Sequence, residues 1–125
     1  EGPSGDNTIV EDNTFINIER SNIMLYSGAG DQSGKATQGV INVTIRNNRF
    51  DHYGGPNIYG RGEVGNVFSI KNADNVLIEN NTIGKISSKE FANDPVILSN
   101  NGKITWKNNT INNRPLDLSK DSREQ

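Results

Sequence analysis

The chain contains no cysteine. Disulfides, thiolate metal sites and a cysteine nucleophile are therefore excluded, although a lack of cysteine does not fix the compartment. No apolar run approaches the roughly 18 residues that cross a bilayer as a helix, and the opening EGPSGDNT lacks the basic start and apolar middle of a signal peptide. Charge of one sign is also scarce: 13 Lys and Arg against 15 Asp and Glu leave a net −2 and an isoelectric point near 5.3. No basic field is present to draw a phosphate backbone, so neither nucleic acid nor a membrane is expected as a partner. Hydrophobic residues are few, at 31% with a mean hydropathy of −0.70. In an ordinary globule of 125 residues that would leave a thin core. A single domain, 1–125, is sustainable on this composition if its apolar residues recur in register, as in a solenoid.

They do recur. Four segments align without gaps: NTIVEDNTFIN (7–17), NVTIRNNRFDH (42–52), NVLIENNTIGK (75–85) and KITWKNNTINN (103–113). The shared pattern is x-[Val/Ile]-x-[apolar]-x-x-Asn-x-[Phe/Ile], with Thr8 as the irregular member of its column. Its invariant asparagines, Asn13, Asn48, Asn81 and Asn109, stand 35, 33 and 28 residues apart. A fixed motif at variable spacing places insertions between repeats and not within them. Alternation inside the motif has the two-residue period of a strand. It breaks at the Asn-Asn step, where the chain is expected to bend. Asparagine suits a bend because it enters the left-handed backbone region at low cost, and amides stacked at one position have the means to bond up the stack.

A third strand per coil is read in NIMLYS (22–27), NVFSIK (66–71) and PVILS (95–99). By alternation Ile23, Leu25, Phe68 and Ile70 point inward, and Met24, Tyr26, Ser69 and Lys71 outward. Trp106, in the column of Ile45 and Ile78, reads as core and not as a sugar platform. The repeats span 7–113, and the polar stretch 114–125 reads as a tail that ends the stack and runs into solvent or a linker.

The x-V-x-I-x-N-N-x-[FI] unit resembles the right-handed parallel β-helix repeat of polysaccharide lyases, pectin-active and other glycoside hydrolases, alginate epimerases and phage tailspikes. The run DNTFINIERSNIMLYSGAG followed by NVTIRNNRF is most similar to β-helix glycosidases of the α-1,3-galactosidase kind. The resemblance implies an all-β right-handed parallel β-helix, of which the repeats make about four coils of three strands. Neither end shows an amphipathic cap, which is expected of a fragment of a longer helix more than of a complete four-coil module. The resemblance also implies a secreted, periplasmic or cell-surface carbohydrate-active protein, part of a larger polypeptide, with an oligo- or polysaccharide as partner. No catalytic motif transfers residue by residue, since these proteins share the repeat and differ in chemistry.

Two long joints interrupt the repeat, SGAGDQSGKATQG (27–39) and GGPNIYGRGEVG (54–65), and both flank the third strands. A groove there would offer Tyr26, Lys71, Asp31, Lys35, Tyr59, Arg61 and Glu63. Glycosidases need two carboxyls about the scissile bond, for which Asp31 and Glu63 are candidates. Lyases need a base with a nearby cation, for which Lys71 and Arg61 are candidates. His52, the sole histidine, is a candidate acid or base, and Tyr53 beside it a candidate sugar-stacking ring. The plainer reading of these groups, as solvated loop and surface residues, carries more weight. No cofactor is expected. A calcium site is conceivable from the scattered aspartates Asp6, Asp12, Asp31, Asp51, Asp74 and Asp94, but none is paired at a ligand spacing, and turn aspartates fit better. The sequons at Asn42, Asn80 and Asn108 fall inside the repeat and read as its grammar. A non-catalytic glycan-binding or structural module, such as a tailspike, adhesin or surface-protein segment, stands as the alternative function.

Overall fold

The computed structural model describes residues 6–18, 22–26, 40–54, 65–85 and 94–124. Their strands are β1 (Ile9–Glu11), β2 (Thr14–Ile16), β3 (Ile23–Tyr26), β4 (Val40–Arg46), β5 (Arg49–Asp51), β6 (Phe68–Lys71), β7 (Ala73–Glu79), β8 (Thr82–Ile83), β9 (Val96–Ser99), β10 (Ile104–Lys107), β11 (Thr110–Ile111), β12 (Arg114–Pro115) and β13 (Ser122–Glu124). One helical turn, α1 (Leu118–Asp121), precedes the last strand. The protein is thus all-β, and its strands form three sheets. The first is β1-β4-β7-β10, the second β2-β5-β8-β11-β12 and the third β3-β6-β9-β13. Every pairing is parallel except β11 with β12. The chain visits the three sheets in turn and returns to each one strand further on. Parallel neighbours need a crossover of a dozen or more residues, and here the other two strands of each circuit supply it.

Register follows the sequence alignment. Val10, Ile45, Ile78 and Trp106 are successive partners across the first sheet, and Phe15, Phe50, Ile83 and Ile111 across the second. Ile23, Phe68 and Val96 do the same in the third. Like residues therefore stack on like, and the inward columns of all three sheets meet in one core. Phe15 lies flat on Phe50 at 4.9 Å, while Phe50 meets Phe68, and Phe68 meets Trp106, edge to face at 5.1 and 5.9 Å. Trp106 is part of this packing, as its column requires. On the outer face of the first sheet the same register aligns Glu11, Arg46, Glu79 and Lys107, a column of alternating charge.

The repeat asparagines form a continuous ladder. Asn13 Nδ2 donates to Asn48 Oδ1 (3.2 Å), Asn48 Nδ2 to Asn81 Oδ1 (3.1 Å) and Asn81 Nδ2 to Asn109 Oδ1 (3.0 Å). The backbone N–H of each donor residue reaches the same oxygen at 3.0 to 3.1 Å. The other Nδ2 hydrogens of Asn48, Asn81 and Asn109 go to the carbonyls of Val10, Ile45 and Ile78. Asn48, Asn81 and Asn109 are buried, and burying an amide is tolerable because these bonds replace those to water.

The bend itself belongs to the residue before each rung, which corrects the sequence reading. Asp12 (φ 58°), Asn47 (56°), Asn80 (55°) and Asn108 (54°) are left-handed, whereas the rung asparagines are not among the positive-φ residues. One residue turns the chain and the next ties it to the neighbouring circuit. Two of the sequon asparagines, Asn80 and Asn108, are such bend residues.

The stretch 114–124 also differs from the free tail expected. β12 folds back antiparallel on β11, α1 reverses the chain, and β13 completes the fourth circuit by pairing with β9. An ion pair explains how so polar a segment is held: Arg114 donates from Nη1 and Nη2 to Asp121 at 2.9 and 2.7 Å, and the Asp117 N–H reaches the same carboxylate at 2.8 Å. Hydrogen bonding from Arg114 holds the buried Asp121 carboxyl below its ordinary range, against the opposing effect of burial.

Two outcomes are expected. Asn81→Leu strands the Asn48 donors, removes the amide donor to the Ile45 carbonyl and leaves Asn109 Oδ1 with only the backbone N–H of residue 81, and is expected to lower the unfolding free energy by about 3 kcal/mol. Asn80→Gly keeps the left-handed bend and stays within about 0.5 kcal/mol, so equal losses in urea titrations of the two variants would place the constraint elsewhere. Because Asp121 has a lowered folded-state pKa, its contribution is present at neutral pH and lost as pH falls through and below roughly 4. Asp121→Asn should be less stable than the native chain at pH 7, with the gap narrowing as pH falls below the ordinary carboxylate range; a gap independent of pH would show that ionisation plays no part.

Candidate functional site

Insertions are not spread evenly over the circuit. Between the first and second sheets each circuit spends two residues, Asp12-Asn13, Asn47-Asn48, Asn80-Asn81 and Asn108-Asn109. The ladder forbids more there, because a longer corner would carry a rung out of line. Segment 27–39 instead follows β3, at the trailing border of the third sheet, and 55–64 precedes β6, at its leading border. The third sheet is therefore the one with long connections on both sides, and its outer face is the candidate site. Met24 and Lys71 are exposed on that face and Ser69 is half-buried, as the alternation predicts. Lys71 lies in register with Tyr26 and Ser99. Asp31, Lys35, Tyr59, Arg61 and Glu63 lie outside the described residues, as does the side chain of Tyr26.

The other candidates separate. His52 follows β5 at the border between second and third sheets, whereas Lys71 ends β6 at the opposite border of the third sheet. His52 adopts φ 52°, like Asn17 (59°), which follows β2 in the preceding circuit. Histidine is one of the non-glycine residues enriched in this conformation, so a turn requirement accounts for its place in the chain. Its half-exposed ring has Nδ1 3.7 Å from Asp51 Oδ1. Tyr53, expected as a stacking platform for sugar, is instead a core residue with 4% of its surface exposed. Its ring follows the turn at His52 into the interior, where burial raises the phenol pKa and Asp121 adds to the effect.

A shallow groove on the outer face of the second sheet went unread in the sequence. It has a volume of about 260 Å³ and is lined by Arg49, Asp51, Thr82, Lys85 and Asn113 among others. Asp51 Oδ1 accepts from the N–H groups of Lys85 (3.0 Å) and His52 (3.1 Å). The Lys85 N–H is the largest cause of a carboxyl pKa held below the ordinary range, with partial burial opposing it. Asp51 is thus a fixed acceptor and is unsuited to act as a general acid near neutrality. Asp74 repeats the device, accepting from Asn75 (2.8 Å) and Lys103 (2.7 Å). Gly84 and Gly102 make room for the two carboxylates: a Cβ on them would lie 3.0 Å from Asp51 Cγ and 2.6 Å from Asp74 Cγ. Two Gly-Lys steps, 84–85 and 102–103, were the available signal. Asp6 likewise accepts from the Ile41 N–H at 2.9 Å. These three aspartates fasten turns, and among the described residues no group of three or more His, Cys, Asp or Glu side chains converges to hold a metal ion.

Comparison with known protein families, curated proteins and solved structures finds no match for this chain.

If turn geometry is what retains His52, His52→Asn should unfold within about 0.5 kcal/mol of the native chain, while His52→Val should lose about 1–2 kcal/mol from a β-branched residue at positive φ. Thermal and urea unfolding compare them, and equal stability of the Val variant would remove the turn explanation.

Proposed function

We propose that the chain is a segment of right-handed parallel β-helix from a secreted carbohydrate-active protein, with an oligo- or polysaccharide lying across the outer face of its third sheet. The handedness rests on the near-universal hand of parallel crossovers, and the ladder and cyclic strand order support the solenoid reading. One observation carries the location: the long connections 27–39, 52–67 and 84–95 all border the third sheet while the ladder corner stays at two residues. A rigid sheet flanked by variable connections offers a platform and walls for an extended ligand. In the enzymatic form of this proposal Asp31 and Glu63 act as a carboxyl pair for glycoside hydrolysis, or Lys71 and Arg61 serve a lyase. Tyr59 and Tyr26 contact the sugar. A second reading, a glycan-binding module without catalysis, draws support from Asp51, Asp74 and Asp121, whose carboxylates all accept backbone N–H groups.

Binding and turnover on a panel of α-galactosides and uronate polymers separate the two readings. Lys71→Ala should weaken binding by about tenfold, as for loss of a hydrogen bond to a charged group. Asp31→Asn or Glu63→Gln should abolish turnover and leave binding in place. Binding without turnover by the native chain favours the second reading, and a chain that binds none of the panel defeats both.

A further inference from the structure

The corner that leads from β9 into β10 holds an amide rung of its own. Asn101 Oδ1 accepts from the Ala73 N–H at 3.0 Å, and Asn101 Nδ2 donates to the Ile70 carbonyl at 2.9 Å. The amide thus ties this corner to the one before β7, and it follows the left-handed Asn100 (φ 51°) in the same bend-then-rung order as the main ladder. Gly102 comes next, and the fold requires a glycine there. A Cβ would lie 2.6 Å from Asp74 Cγ, and the Asp74 carboxylate is needed to accept the N–H groups of Asn75 and Lys103. A rung amide followed by an obligatory glycine makes the sole Asn-Gly step of the sequence. Such a step is chemically labile, because glycine sets no side chain in the way when its nitrogen approaches the preceding amide. Asn101 is half-buried and Gly102 exposed, so water reaches the pair and burial does not shield it. Hydrogen bonding does: the Gly102 nitrogen donates to the Ala73 carbonyl at 2.8 Å, and the Asn101 amide is held at both its oxygen and its nitrogen.

We propose that Asn101 is a modification site, at which opening of this corner permits spontaneous deamidation and the product prevents the corner from closing as before. Once Asn101 and Gly102 leave their partners, the Gly102 nitrogen attacks Asn101 Cγ. A C–N bond forms, the bond from Cγ to Nδ2 breaks, and ammonia leaves with the proton given up by the Gly102 nitrogen. Water then opens the resulting cyclic imide at one carbonyl to give aspartate, or at the other to give isoaspartate. Neither step requires an oxidant or a reductant. Both products lack the Nδ2 hydrogens, so a carboxylate oxygen faces the Ile70 carbonyl, two acceptors with no hydrogen between them. Isoaspartate also lengthens the backbone by a methylene, which carries Gly102 and Lys103 away from the Ala73 carbonyl and the Asp74 carboxylate. The native corner therefore suppresses the reaction, and a chain that has reacted is marked as one that opened.

Incubation of the full chain in mildly alkaline buffer, native or in denaturing urea, followed by peptide mapping for aspartate and isoaspartate, measures the reaction at each asparagine. In urea Asn101 should react ahead of every other asparagine. In the native chain it should react at least about tenfold more slowly, because only the opened fraction is competent. Asp74 is exposed, and Asp74→Ala releases the Lys103 N–H without touching Asn101. That variant should deamidate about threefold faster than the native chain when folded, and at the same rate in urea. Asn101→Asp carries one product from the start and should unfold at lower urea than the native chain. The proposal is overturned by equal rates at Asn101 in the native and urea-unfolded chains, or by faster reaction of another asparagine in urea. It is also overturned by a native rate indifferent to Asp74→Ala with folding verified by circular dichroism, or by an unchanged unfolding midpoint in Asn101→Asp.

Discussion

The buried amide ladder is the constraint on which the rest of the structure depends. Each rung is satisfied only when its neighbour stands directly above or below it, within about 3 Å. A single misplaced rung would leave several polar groups in an apolar interior, each costing about 1–3 kcal/mol. That penalty fixes the register of the first and second sheets together, since a one-residue slip would turn every inward side chain of a strand outward. It also holds the corner between them to two residues in all four circuits, leaving the borders of the third sheet to absorb changes in length.

Low hydrophobic content becomes workable under this arrangement. Inward positions such as Ile45, Phe50, Phe68 and Ile78 are fully enclosed, each contributing roughly 1.5–3 kcal/mol, because three sheets and the circuits above and below share the burial. Outward positions are then free to be polar. Where they carry charge, as in the column from Glu11 to Lys107, neighbours alternate in sign and avoid like-charge contact. The scaffold therefore spends its inward columns, corner asparagines and turn aspartates on architecture. The outer face of the third sheet, with its bordering segments, is what the repeat leaves open to vary.

Acidic residues illustrate the same division. Asp51 and Asp74 read in the sequence as turn aspartates, and Asp121 as part of a polar tail. The structure makes all three hydrogen-bond acceptors for the backbone, with Gly84 and Gly102 opened for two of them. Carboxyl chemistry, as proposed above, falls to Asp31 and Glu63 and not to these three.

The sequence by itself determined the strands of the repeat, their stacking register, the inward place of Trp106 and the outward place of Lys71, because period-two alternation and invariant asparagines are local signals that each circuit repeats. Tertiary structure decided the rest. The bend lay one residue before the asparagine, since rung and turn are adjacent and only the backbone angles distinguish them. Tyr53 went inward because the turn at His52 redirects the chain, which no pattern of residue types records. Residues 114–124 became a strand, a helical turn and the final strand because Arg114 and Asp121 meet across seven residues, a pairing that composition cannot express. Local periodicity is written along the chain, whereas contacts between circuits exist only once the circuits are stacked.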